Sequence, residues 1–204
     1  MEPTPVFYIA LSGKRCSGKS TTATKLIRAL EEKYTGLPVV KFAFAQALYA
    51  ECYRRGMSSD PAKKDQKMLL EVAHEMRAAD DKVFTKLTFE GIRLCSINPH
   101  CRGRLMIAVL DDLRHLPEVS ALRAQKKSFL VRLNIPKDIQ EARIRAVYGD
   151  EGFAKYNGAH KSETELDGQD ALFDLTFDAA KYSLNVDDVV ASIVRHLSST
   201  LSSV

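Results

Sequence analysis

The chain has 204 residues, of which 45% are hydrophobic and 27% charged, and its formal net charge is +4. This length predicts one α/β domain over residues 1–204, because the chain is too short for two ordinary domains. The mild charge disfavours a nucleic-acid groove, and the apolar runs are too short to span a membrane. We therefore expect a cytoplasmic protein with no nucleic-acid or membrane partner, acting as a monomer, with a dimer as the alternative.

Strand patterns alternate with helical patterns along the chain, which predicts a parallel sheet with helices on both faces. Apolar, β-branched segments predict strands at 6–11, 39–44, 104–110, 129–135 and 172–178. Apolar residues at helical spacing predict helices at 19–34, 45–55, 60–80, 81–95, from 117, from 136 and at 186–197. The stretch 149–168 is polar and has little periodicity.

Residues 13–20 have the spacing G-x-x-x-x-G-K-S between a predicted strand and a predicted helix. This is the pattern of a phosphate-binding loop (P-loop), whose backbone N–H groups form a nest for the phosphates of a nucleoside triphosphate. Lys19 would neutralise the outer phosphates, and the Ser20 hydroxyl would bind Mg²⁺. The predicted nucleotide-binding residues are Gly13, Lys14, Arg15, Cys16, Ser17, Gly18, Lys19, Ser20 and Thr21.

The loop contains two cations beyond the minimal motif, Lys14 and Arg15. They would strengthen the positive field at a transferring phosphate, so we predict a catalytic role for Lys14 beside Lys19. Cys16 follows them directly, and neighbouring cations favour a thiolate over a thiol. We therefore expect the pKa of Cys16 to be lowered.

Asp111 and Asp112 follow the predicted strand 104–110. Ligands of parallel sheets bind outside the carboxyl ends of the strands, so either carboxylate is a candidate to hold Mg²⁺ through water. A turn or helix-cap role is the alternative. Arg114, two residues later, is suited to bidentate binding of a phosphate or carboxylate. Asp112 and Arg114 are therefore predicted to bind the acceptor, and Arg114 also to act in catalysis.

Further arginines are candidates for the charge around a moving phosphoryl group. Arg77 ends an apolar helix pattern and is a candidate acceptor-binding residue. Arg143 and Arg145 lie two positions apart, so both can face the site only if the helix ends near them and the next stretch folds over as a lid. We predict catalytic roles for both in such a lid, with a solvated basic face as the alternative.

Four stretches form an ordered set, namely LSGKRCSGK (11–19), FAQAL (44–48), DLR (112–114) and HKSETELD (160–167). Together they resemble the animal-type phosphomevalonate kinases and the phage-type deoxynucleoside monophosphate kinases. The resemblance implies a three-layer P-loop NTP hydrolase/NMP-kinase-like fold with a five-stranded parallel sheet. It also implies a helical acceptor-binding region at about 45–95 and an Arg-bearing lid at about 140–165. These families place an asparagine where Ala179 and Ala180 stand here.

The resemblance implies ATP and Mg²⁺ as cofactors and a small phosphorylated molecule as the acceptor. We therefore expect an ATP-dependent kinase that converts a phosphomonoester to a diphosphate. The Lys14–Arg15 pair favours phosphomevalonate as the acceptor, and a (deoxy)nucleoside monophosphate is the alternative. An alternative of another class is a non-catalytic, nucleotide-binding regulatory protein.

Overall fold

The computed structural model describes residues 3–60, 65–101, 105–178 and 185–201. The predicted helix start at Pro61 and the Ala179–Ala180 pair lie outside the described residues. The described residues form a five-stranded sheet with the order β2-β3-β1-β4-β5. Its strands are β1 (Val6–Gly13), β2 (Val39–Phe42), β3 (Met106–Leu113), β4 (Ser128–Asn134) and β5 (Leu175–Asp178). Each neighbouring pair is parallel, which confirms the predicted α/β fold class.

The helices occupy the connections between strands and follow the last one. They are α1 (Lys19–Lys33), α2 (Gln46–Arg54), α3 (Gln66–Ala79), α4 (Val83–Ser96), α5 (Leu116–Arg123), α6 (Lys137–Ala154), α7 (Lys161–Thr164) and α8 (Val186–Leu201). Among the residues that the structure describes, every helix is too short or too polar to cross a lipid bilayer. The predicted break near Asp80 separates α3 from α4.

Two hydrophobic cores cover the two faces of the sheet, because alternate residues of β1 point to opposite sides. Phe7 and Ile9 pack with apolar residues of α1 and α8 on one face. Tyr8 and Ala10 pack with residues of α4 and α5 on the other. The result is a three-layer arrangement of helices, sheet and helices.

The strand order reverses direction at β1 and β3. From β1 the chain crosses over to β2 at one edge, whereas from β3 it crosses to β4 on the opposite side of β1. The loops that leave β1 and β3 therefore diverge and open a crevice at the carboxyl ends of the strands, which is where parallel sheets bind ligands.

Several element boundaries differ from the sequence-based predictions, and two of these differences bear on the site. Strand β3 was expected to end at residue 110, but it continues to Leu113 and includes both aspartates. Helix α6 extends to Ala154 across a kink at Gly149 (φ 70°, ψ 178°), so part of the stretch predicted as irregular is helical. The backbone at Gly149 is not helical, so α6 consists of two helical segments that meet at this kink, and glycine tolerates the positive φ.

Candidate active site

The P-loop follows β1 and leads directly into α1. Gly13 has φ +152°, and a Cβ at this position would lie 2.5 Å from Ser17 Oγ and 2.6 Å from the Leu133 carbonyl oxygen. Gly18 has φ +95°, and its carbonyl accepts the Thr22 N–H at 2.9 Å, which begins the helix. Both glycines are therefore required by the backbone, and the positive end of the α1 dipole is directed toward the loop.

Lys19 lies folded against this loop and is only 7% exposed. Its Nζ donates to the carbonyl oxygens of Gly13 at 2.6 Å and Lys14 at 2.7 Å. Burial lowers the pKa of Lys19 to about 7, the positive charge of Arg114 acts in the same direction, and three nearby carboxylates act against it. The Lys19 amine thus donates to two backbone carbonyl groups of the P-loop. A bound phosphate would replace these acceptors and stabilise the positive charge of the amine.

The P-loop has polar atoms that suit a bound polyphosphate. Ser17 Oγ is buried and has no hydrogen-bond partner among the described residues. A buried hydroxyl without a partner is costly, so a ligand oxygen at the loop would relieve it. Ser20, in the first turn of α1, is exposed and free to contribute its hydroxyl to a cation.

Strand β3 carries an irregularity in its pairing with β1 at the position of the two aspartates. Ala10 is paired with Leu110 and Ser12 with Leu113, so two residues of β3 oppose one of β1. Such a bulge re-aims neighbouring side chains. Sequence periodicity does not reveal the bulge, because both aspartates are polar and adjacent.

Asp112 turns toward the segment that follows β2. Its two carboxylate oxygens accept the N–H groups of Phe44 and Ala45, each at 2.8 Å. Burial raises the pKa of Asp112 despite these bonds. The structure therefore gives Asp112 the turn-holding role that the sequence left as the alternative, and its metal-binding and acceptor-binding roles stay predictions.

Asp111 is the other metal candidate, and it is buried. It forms an ion pair with Lys41 at 2.7 Å, and the Lys41 side chain is 45% exposed. In the described residues no cluster of three or more His, Cys, Asp or Glu side chains could hold a metal alone. Mg²⁺ needs no such cluster, since it is usually held by one or two carboxylates with substrate phosphates. Asp111 and Ser20 are the residues that would hold it.

Arg114 is tied to the P-loop through Glu163 of α7. Its guanidinium forms an ion pair with Glu163 and donates to the Ser162 carbonyl at 3.2 Å. Glu163 is buried, and it also accepts the N–H of Arg15 at 2.8 Å and the hydroxyl of Tyr156 at 3.0 Å. Burial acts to raise the pKa of Glu163, but the charge and hydrogen bonds of these partners bring it below its ordinary value. One carboxylate thus joins the donor loop to the predicted acceptor-binding arginine.

Glu163 was not predicted as a site residue from the sequence. The signal available was its place in the HKSETELD stretch at 160–167, which resembles the segment after the lid in the two kinase families. Glu118 of α5 was not predicted as a site residue either. It is buried, accepts the N–H groups of Arg114 at 2.8 Å and His115 at 3.0 Å, and burial raises its pKa to about 8.

Helix α6 contacts the P-loop at two points. Arg143 Nη1 donates to the Cys16 carbonyl at 3.2 Å, and Gln140 Nε2 donates to the Arg15 carbonyl at 3.0 Å. Arg145 instead contacts α6 itself, with Asp150 at 2.5 Å and with its guanidinium 3.6 Å from the centre of the Phe153 ring. The structure therefore brings Arg143 to the loop and leaves Arg145 outside it, as expected for residues two apart on one helix.

The extra cations of the loop point away from its centre. Lys14 pairs with Asp167 at 2.7 Å, and the Arg15 guanidinium lies 4.2 Å from the centre of the Tyr148 ring. Cys16 has φ 60°, and burial raises the pKa of its thiol more than the charges of Arg15, Lys19 and Arg143 lower it. The expectation of a lowered Cys16 pKa was therefore wrong, because desolvation of a thiolate outweighs nearby cations that have other partners.

Arg77 of α3 contacts His115, the residue that follows Arg114. Its guanidinium is 4.7 Å from the centre of the Phe84 ring, and its Nη2 is 3.3 Å from Nε2 of His115. His115 in turn contacts Glu165 through Nδ1 at 2.6 Å. The structure thus joins α3 of the predicted acceptor-binding region to the end of the predicted lid.

Solved structures resemble this chain over nearly its full length. One is an uncharacterized protein from Eubacterium ventriosum, with a TM-score of 0.52 and 14% identity, covering 95% of this chain and 99% of that one. A shikimate kinase from Bacteroides thetaiotaomicron has a TM-score of 0.49 and 14% identity, covering 94% and 98%. A shikimate kinase from Acinetobacter baumannii in complex with shikimate has a TM-score of 0.44 and 17% identity, covering 97% and 94%. Neither a protein-family model nor a curated protein sequence matches the chain. At such identities the likeness concerns the fold, and the first of these structures supports the α/β architecture described above.

Proposed function

We propose that this protein is an ATP-dependent phosphotransferase that converts a small phosphomonoester to a diphosphate. The observation that carries the proposal is the Glu163 bridge, which ties the Arg114 guanidinium to the Arg15 N–H inside the P-loop. The bridge holds a potential acceptor-binding cation next to a loop suited to the donor. Transfer between two phosphates needs such positive charge on both sides of the moving group.

In this proposal each half of the site has a separate task. The P-loop and Lys19 would bind the β- and γ-phosphates of ATP, while Ser20 and Asp111 would hold Mg²⁺, which neutralises the developing charge. Arg114 would exchange Glu163 for the acceptor phosphate, and Arg143 would approach the transferring group from α6. An acceptor that ends in a phosphate already carries anionic oxygens, so no side chain is required as a general base.

We infer that one domain carries the whole reaction, with the acceptor-binding region at about 45–95 and the lid at about 140–165. Phosphomevalonate is the first acceptor to test, because the Lys14–Arg15 pair resembles that kinase family, and (deoxy)nucleoside monophosphates are the second. Shikimate belongs in the same panel, since two of the structures of similar fold are shikimate kinases.

A coupled assay of ADP release with this panel tests the proposal, using wild type, Lys19→Ala and the control Lys25→Ala. Lys25 lies on α1 but pairs with Asp187 at an exposed position. We expect turnover with one phosphomonoester in wild type and in the control, and its loss in Lys19→Ala. ATP binding without turnover of any acceptor would instead identify a non-catalytic nucleotide-binding protein. If shikimate were the one acceptor turned over, the acceptor group would be a hydroxyl and the proposed phosphate acceptor would be wrong.

A further inference from the structure

Arg77 differs from the other partly buried arginines in the partners it has. Among the described residues its contacts are the Phe84 ring and the His115 imidazole, and no carboxylate lies within ion-pair distance of its guanidinium. By contrast, Arg114 and Arg132 each form an ion pair with a carboxylate. Since guanidinium remains charged in proteins, Arg77 carries a positive charge that its direct contacts orient without neutralising.

The direction of the hydrogen bonds follows from the chemistry of the partners. A guanidinium can only donate, so Nε2 of His115 must accept from Nη2 of Arg77 at 3.3 Å. A neutral imidazole with Nε2 as acceptor carries its proton on Nδ1, which then donates to Oε2 of Glu165 at 2.6 Å. Glu165 thus selects the tautomer of His115, and that tautomer holds one edge of the Arg77 guanidinium.

The same two segments hold Arg114 and Arg77. His115 directly follows Arg114, and Glu165 lies two residues after Glu163. The difference is that Glu163 reaches its arginine directly, whereas Glu165 acts through a neutral ring. The side chains of His115 and Glu165 are only 14% and 10% exposed, so solvent does little to weaken this arrangement.

We propose that Glu165 and His115 are positioning residues that hold Arg77 as an anion-binding side chain on the acceptor side of the site. This inference rests on the proposed function, and its ligand is a phosphate or carboxylate group of a small acceptor. A guanidinium that is oriented but not paired can form a bidentate contact with either group. Because Glu165 lies at the end of the predicted lid, placement of that segment also sets the position of Arg77.

The arrangement requires His115 to be neutral. Burial lowers the pKa of His115, the hydrogen bond with Glu165 raises it, and the charge of Arg77 lowers it further. The titratable groups around the ring are Glu165 and Lys161 at α7, Arg77 of α3, and Glu118, which accepts the N–H of His115. Protonation would make Nε2 a donor that repels Arg77, so anion affinity should fall as the pH drops through the pKa of this ring.

Two substitutions of His115 separate the contacts of its ring nitrogens. In His115→Asn the amide reaches the position of Nδ1 but not that of Nε2, so contact with Arg77 is lost. In His115→Gln the longer amide can offer an oxygen to Arg77. Arg77→Ala removes the anion-binding group, and Arg123→Ala is the matched control because Arg123 pairs with Asp174 elsewhere.

Inorganic phosphate is the probe, titrated by thermal shift with the P-loop occupied by saturating Mg²⁺ and a non-hydrolysable ATP analogue. Phosphate affinity should fall about tenfold in His115→Asn and Arg77→Ala and stay near wild type in His115→Gln and Arg123→Ala. In turnover, His115→Asn should raise the acceptor KM and leave the ATP KM unchanged. Wild-type affinity in either His115→Asn or Arg77→Ala would overturn the inference.

Nitrogen NMR of wild type gives a second measurement that needs neither activity nor a His115 variant. We expect the Nδ1–H tautomer of His115, and a mixture of tautomers in Glu165→Gln; an Nε2–H tautomer in wild type would overturn the inference even if His115→Asn failed to fold. Failure of the proposed function is distinguishable, because an enzyme without turnover of any acceptor can still show the Arg77-dependent phosphate response.

Discussion

The donor half of the proposed site is one continuous segment, residues 13–20, whereas the acceptor half is assembled from α3, the end of β3 and α7. In the donor half the backbone is the main binding element, and two glycines with positive φ determine its shape. In the acceptor half two arginines are held by side chains 38 and 49 residues away in sequence. A local motif therefore defines the first half, while the second exists only after several elements have packed together.

The largest expected effect concerns the donor half. Replacing Lys19 with alanine removes the cation buried at the loop, and we expect kcat to fall roughly 10²–10³-fold, as for loss of one preorganised charge at a reaction centre. ADP release at saturating ATP measures the effect. The control Lys25→Ala should stay within about twofold of wild type, since exposed ion pairs contribute little. Equal losses in both variants would contradict a specific role for Lys19.

The pH dependence of nucleotide affinity tests the same residue. Burial lowers the pKa of free Lys19 to about 7, and phosphate beside the amine should raise it in the complex. Binding therefore takes up a proton above pH 7, and Kd for ATP should rise with pH by up to about tenfold per unit.

Calorimetric titrations across this pH range measure the slope. In Lys19→Ala the titrating amine is absent, and the ionisation of ATP still contributes to the pH dependence. The difference between the Kd profiles of wild type and variant therefore reports the titration of Lys19. Identical slopes in wild type and variant would show that Lys19 remains fully charged without nucleotide.

The adjacent residues Asp111 and Asp112 of β3 are predicted to have different roles. Asp111 is the candidate for binding Mg²⁺, and Asp112 holds the turn after β2. Asp112→Asn places an amide against two backbone N–H donors, and we expect it to lower the free energy of unfolding by about 1–3 kcal/mol. Asp111→Asn breaks an ion pair with a half-exposed lysine and should cost about 1 kcal/mol or less.

Urea denaturation measures these stabilities, and the Mg²⁺ dependence of turnover measures the proposed metal role. Asp111→Asn should raise the Mg²⁺ concentration needed for half-maximal rate, while Asp112→Asn should change stability more than metal dependence. The reverse pattern would assign the metal to Asp112 and contradict the turn-holding role.

The smallest expected effect belongs to the lid. Arg143→Ala removes a contact with the Cys16 carbonyl, and we expect kcat to fall several-fold, on the order of one charge-assisted hydrogen bond. Arg145→Ala breaks contacts confined to α6 and should leave kcat within about twofold and stability within about 0.5 kcal/mol. A larger loss of kcat for Arg145→Ala would contradict this assignment. It would mean that Arg145 approaches the P-loop during turnover.

The sequence by itself determined the elements whose signals are local. The P-loop could be recognised because its glycines, lysine and serine lie within eight consecutive positions and act through their own backbone. The five strands and the break near Asp80 followed from apolar periodicity, which reflects which face of each element is buried. Arg143 and Arg145 were both predicted to act in the lid, whereas in the structure Arg143 contacts the P-loop and Arg145 contacts α6.

Only the tertiary structure decided how residues from distant segments meet. The bulge in β3 at Asp111 and Asp112 arises from pairing with β1, and apolar periodicity does not encode it. The sign of the Cys16 pKa shift depended on burial, which the neighbouring residues do not reveal. Glu163 and Glu165 acquire partners only when α7 packs beside the P-loop and the end of β3, since a carboxylate is exposed or buried according to what covers it.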